Sequence, residues 1–93
     1  MSKIILEGYI LVPGGDLVRI KEELPNHIAL TRQEKGCVVF EVSQCTENLN
    51  RFSVYEEFTS QASFELHQAR VNRSKWGSVS ENVERHYQIR RIE

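Results

Sequence analysis

Apolar and polar residues alternate with two different periods along this chain, and the changes of period mark its elements. From Ile4 to Val12, Ile4, Leu6, Ile10 and Val12 fall on one face of an extended strand. Ile5, Tyr9 and Leu11 fall on the other, interrupted by Glu7 and Gly8, so this strand needs cover on both sides. Pro13-Gly14-Gly15 breaks it, and Asp16 is a good N-cap for a helix in which Leu17, Ile20, Leu24 and Ile28 recur at helical spacing. Pro25 removes a backbone donor, which predicts a kink or restart before Glu34. Lys35-Gly36 ends the helix.

Cys37 to Gln44 alternates again, with Cys37, Val39 and Glu41 against Val38, Phe40 and Val42. A polar turn from Thr46 to Asn50 leads into a strand from Arg51 to Phe58, a spacing that suits an antiparallel hairpin. Thr59 or Ser60 can cap a second helix. On it Ala62, Leu66, Ala69 and Trp76 form one stripe and Phe64 and Val71 another, which predicts cover on two sides. Trp76-Gly77 closes this helix, Ser78 to Asn82 is a loop or single turn, and Val83 to Ile92 is a last strand. Strand, helix, strand, strand, helix, strand is the ferredoxin-like order, an α+β fold with a four-stranded antiparallel sheet and both helices on one face. The bare sheet face predicts a homodimer, sheet against sheet, in a dimeric α+β barrel.

The 93 residues make one domain, 1–93, near the lower size at which a single core is stable. A net charge of −1 with interspersed signs offers no footprint for nucleic acid or an anionic membrane. No segment has the length to span a bilayer and no leader pattern opens the chain, so the expectation is a cytoplasmic protein. Cys37 and Cys45, eight residues apart, would share a strand face at roughly 26 Å, too far for an internal disulfide. His27, His67 and His86 lack metal-ligand spacing, and Gly14-Gly15 lacks the lysine and glycine spacing of a phosphate loop. No metal or cofactor is implied.

Two positions break the apolar pattern in a way that suggests chemistry. Glu56 shares a strand face with Phe52, Val54 and Phe58, and His67 lies beside Phe64 and Val71 on the following helix. An acid and an imidazole can therefore meet in a dry place. The plainer alternative is a buried pair that pins the second helix to the sheet.

Three stretches give the chain a family likeness. In Leu30 to Val42 a Gly36-Cys37 pair opens a strand ending in Phe40-Glu41-Val42, and Tyr55-Glu56-Glu57-Phe58 repeats a Tyr-Glu-Glu-aromatic signature in which Trp is commoner at the last place. Ala62 and His67 then fall where an alanine and a helix histidine belong. Together these resemble the antibiotic biosynthesis monooxygenase family over nearly the whole length. The resemblance implies a homodimeric, cofactor-independent monooxygenase that uses oxygen to oxidise a quinol, anthrone or similar electron-rich aromatic small molecule. It also carries alternatives: an enol-forming isomerase of a small, in some relatives phosphorylated, carbonyl compound, or a non-catalytic small-molecule-binding dimer. Many relatives have a second histidine where this chain has Asn72, and the first-strand asparagine of haem-degrading relatives is replaced by Glu7 and Gly8.

Under this resemblance His67 is the expected base and Glu56 its orienter or a base in its own right. Tyr55, Phe64, Asn72 and Trp76 are the expected substrate contacts. Tyr55 points away from Glu56, which favours a subunit interface, and Trp76 at the end of an apolar stripe equally suits core or dimer packing. Only one of His86 and Tyr87 can face any given pocket. Arg70 and Arg73 suit an anionic substituent or plain solvation.

Overall fold

The computed structural model describes residues 3–93. Four strands, β1 (Lys3–Leu11), β2 (Cys37–Gln44), β3 (Arg51–Phe58) and β4 (Glu84–Ile92), form one antiparallel sheet in the order β2-β3-β1-β4. Helix α1 (Leu17–Arg32) joins the first two strands, and α2 (Gln61–Asn72) with the short α3 (Lys75–Val79) joins the last two. This is the expected ferredoxin-like α+β arrangement. The core lies under the helices, where Ile4, Leu6 and Ile10 of β1 meet Phe52, Val54 and Phe58 of β3.

Local chemistry explains most boundaries. Ser60 caps α2 through a reciprocal box: its hydroxyl accepts from the Ser63 amide at 3.1 Å, and the Ser63 hydroxyl accepts from the Ser60 amide at 3.1 Å. The second helix stops earlier than its apolar spacing predicts. Ser74 bonds back to the Val71 carbonyl at 2.8 Å and caps α3 by accepting from the Gly77 amide at 3.2 Å, so Trp76 sits on a separate turn. A Cβ at Gly77 would lie 2.3 Å from the Val71 carbonyl oxygen, so only glycine permits so tight a reversal. Trp76 is thereby turned inward while Leu66, its supposed stripe partner, is 72% exposed.

Four further expectations change. Helix α1 runs unbroken through Pro25, which is exposed, so the carbonyl left without its donor faces water. Of the Leu17-Ile20-Leu24-Ile28 stripe, Ile20 is fully buried and Leu17 and Leu24 pack partly buried against the core, but the buried face continues through Glu23, His27 and Thr31, because these polar members find cover. Glu23 accepts from Asn26 at 2.8 Å and Thr31 from Arg70 at 2.9 Å. Asp16 stands at the N-cap but makes no cap bond, and takes Arg19 as its partner instead. A register shift between Cys37 and Val39 sets Cys37 opposite Phe58, on the core side and off the face of Val39 and Glu41.

The outer sheet face is not the plain apolar patch that two-sided strands suggest. Arg90 pairs with Glu7 at 2.7 Å, Lys3 with Glu57 at 3.1 Å, and Arg51 lies 3.7 Å over the Tyr9 ring. Among the described residues no helix is long and apolar enough to cross a membrane.

Candidate functional site

Glu56 and His67 do meet. The period of β3 sends Glu56 to the core side between Val54 and Phe58, opposite Leu6 of β1 and Phe40 of β2. His67 enters from α2, and both residues are buried, at 6% and 4% exposed. Their nearest atoms, His67 Nε2 and Glu56 Oε1, are 3.9 Å apart, and Glu56 Oε1 has no hydrogen-bond partner.

The other imidazole nitrogen is held by a residue beyond the end of α1. His67 Nδ1 is 2.8 Å from Glu34 Oε1, and the second Glu34 oxygen accepts from Arg70 Nε at 2.5 Å. Arg70 also donates to Thr31 at 2.9 Å, so a fixed guanidinium anchors the carboxylate. Burial lowers the His67 pKa below its ordinary value, outweighing the upward pull of Glu34, with the Arg70 charge acting in the same direction as burial. The ring is thus neutral near pH 7. Because a carboxylate only accepts, the ring proton resides on Nδ1, and the Nε2 lone pair faces Glu56.

Burial acts on Glu56 in the opposite sense. Desolvation first, and then the Glu34 charge, push its pKa up to about 8, so at neutral pH it is mainly a carboxylic acid. A lone-pair nitrogen and a proton-bearing carboxyl therefore face each other, both buried. This arrangement can take a proton from a bound hydroxyl at one atom and steady the resulting oxyanion from another.

The pair borders a cavity of about 160 Å³ between the sheet and the helices. Val54 and Tyr87, which line it, sit on either side of Gly8 in the register. A Cβ there would lie 1.9 Å from the His86 carbonyl oxygen. One wall is His27 of α1 stacked on Trp76, with ring centroids 4.5 Å apart and planes 6° from parallel. Burial, followed by the charges of His67, Arg70 and Arg85, lowers the His27 pKa to about 3, and its Nδ1 has no partner. Tyr87 also lines the cavity, its hydroxyl pKa pushed up to about 12 by burial and the Glu56 charge. Gln68 and Arg85 are exposed members of the lining and mark where the cavity reaches the surface.

Of the expected substrate contacts, Trp76 lines this cavity and three do not. Phe64 packs edge-on against Phe58 in the core, 5.6 Å between centroids. Tyr55 is on the outer sheet face, donating to Glu57 at 2.6 Å. Asn72 is exposed at the last position of α2. His27 and Glu34 join the site without standing out as site residues in the sequence. Of these two only His27 leaves a trace in the pattern, at helical spacing from Ile20 and Thr31. Of the β4 pair Tyr87 faces the cavity, while His86 stacks on Tyr9 outside at 4.7 Å. Among the described residues no group of three or more His, Cys, Asp or Glu side chains has the geometry to hold a metal ion.

Fold and site together define a small ferredoxin-like domain that keeps a buried ionisable pair beside a cavity beneath its helices. The family model described as antibiotic biosynthesis monooxygenase matches residues 4–76, and the chain belongs to that family. Solved structures agree in fold. A Bacteroides thetaiotaomicron protein named for this family superposes with a TM-score of 0.78 at 17% identity, over 99% of this chain and 88% of its own. One of the same name from Nitrosomonas europaea gives 0.76 at 15% identity, over 98% and 88%. A Pseudomonas aeruginosa protein gives 0.73 at 21% identity, over 98% and 90%. Nothing among curated protein sequences matches the chain.

Proposed function

We propose that this protein is a cofactor-independent monooxygenase that oxidises a quinol, anthrone or similar electron-rich phenolic compound with molecular oxygen. The observation that carries the reading is the neutral His67, held through Nδ1 by Glu34, with Nε2 toward the cavity and the Glu56 carboxyl. Oxygen is a triplet and reacts slowly with closed-shell organic molecules, but a phenolate can pass it one electron without metal or flavin. The demand on the protein is to make that anion and keep it dry.

In this proposal His67 Nε2 takes the hydroxyl proton while the Glu56 carboxyl donates a hydrogen bond to the anion. The phenolate gives one electron to oxygen, and the aryloxyl radical and superoxide join at a ring carbon as a peroxide. Loss of water from the peroxide leaves a carbonyl. One oxygen atom ends in the product and one in water, and the substrate loses two hydrogens. The working unit is taken as a cytoplasmic homodimer whose partners are the aromatic substrate and oxygen, with no nucleic acid or membrane involved.

Oxygen uptake by metal-free protein across a panel of reduced quinols tests this. Uptake should exceed the uncatalysed rate with one oxygen consumed per substrate, and His67→Ala should lower kcat/KM by about 100- to 10,000-fold. Uptake that stays at background over the whole panel sinks the proposal. Anaerobic exchange of a carbon-bound proton into solvent, with no oxygen use, would assign the same base to an isomerase.

A further inference from the structure

The cavity has a size as well as a chemistry. At about 160 Å³ it matches an engineered apolar cavity of about 150 Å³ that holds one benzene molecule. A single six-membered ring fills it; a fused second ring would be forced out through the mouth at Gln68 and Arg85 or would have to move the walls.

Those walls are braced. Trp76 is held by the His27 stack on one side and by the capped turn at Ser74 and Gly77 on the other. Between the lining residues Val54 and Tyr87 in the register, the backbone of β1 at Gly8 packs so tightly on that of β4 that not even a Cβ would fit.

Two lining atoms are buried without any partner, Glu56 Oε1 and His27 Nδ1, on residues 6% and 5% exposed. Dry polar atoms of this kind are normally satisfied, so both point to a ligand with two hydrogen-bonding groups. A hydroxyl both donates and accepts, so it serves either tautomer of a neutral imidazole and either face of a carboxyl. An ammonium group, by contrast, would enter beside the Arg85 charge.

We infer that the substrate is a single-ring dihydroxyarene, with one hydroxyl between His67 and Glu56 and the other on His27. The inference rests on the oxygenase reading of this cavity and narrows it, leaving out naphthalenediols and anthrones.

Anaerobic calorimetry of the wild-type protein with 1,4-benzenediol, phenol, 1,4-naphthalenediol and anthrone tests it directly. Benzenediol should bind about tenfold or more tightly than phenol and than either fused-ring compound. His27→Phe, which keeps an aromatic ring against Trp76, should erase the difference between benzenediol and phenol. Val71→Ala should open the wall and bring naphthalenediol to within about threefold of benzenediol. Wild-type binding of naphthalenediol or anthrone as tight as that of benzenediol overturns the inference, as does no binding of benzenediol at all. Oxygen uptake on each compound separates the two readings. Turnover of a fused-ring substrate alone would remove the size limit and leave the oxygenase, whereas tight benzenediol binding without uptake on any compound would do the reverse.

Discussion

At the scale of single residues the site is governed by which groups surrender charge on burial. Glu34 lies outside the cavity lining, yet its bond to Nδ1 decides which nitrogen of His67 is free. Glu34→Gln keeps the shape but lets the amide donate or accept, so the tautomer is no longer fixed. We expect kcat to fall by about 100-fold or more with KM little changed, and steady-state kinetics over a pH series to show it. Glu56 makes a prediction about stability. Its folded pKa of about 8 stands above its ordinary value of 4.5, so between those values the folded state holds more protons than the unfolded one, and stability drops as pH rises. The slope is about 1.4 kcal/mol per pH unit from this group alone. Glu56→Gln should therefore equal the wild type below pH 4.5 and become relatively more stable up to pH 8, as urea titrations at several pH values would reveal. An unchanged difference across that range would mean Glu56 is ionised throughout. Both Glu56 and His67 were legible in the sequence because each interrupts an apolar stripe. Glu34 was not, since Arg32-Gln33-Glu34-Lys35 looks like any solvated helix end.

At the scale of elements the central strand carries the greatest constraint. Gly14→Ala enters open space and should shift stability by less than about 0.5 kcal/mol. Gly8→Ala would drive a methyl group into the β4 backbone, part the two strands and cost about 3 kcal/mol or more, with chemical denaturation as the measure. Strand and helix order were readable from hydropathy because periods of two and of 3.6 differ strongly over eight or more residues. Finer features escaped for physical reasons. Trp76 prolongs the apolar spacing of α2 past the point where Ser74 ends it. The irregularity near Val38 moves Cys37 to the core side without altering composition, and the polar face of α1 is buried because Asn26, Arg70 and Trp76 supply partners that lie apart from it in sequence or off the stripe.

At the scale of the whole molecule, a 93-residue chain has little core to spare. Association through the outer sheet face would bury Ile5, Tyr9 and Leu11, now half-covered, together with its ion pairs. Sedimentation at micromolar concentration should give twice 10.8 kDa. A species of 10.8 kDa alone would refute the dimer. The ion pairs on that face predict that register within the dimer depends on charge, so Glu7→Lys should weaken association, and more so at low salt. The stacked wall has one more result. Trp76 is the only tryptophan in the chain and stands against His27 at the cavity, so light absorbed beyond the tyrosine band is re-emitted from the cavity wall alone, and an occupant should alter that emission.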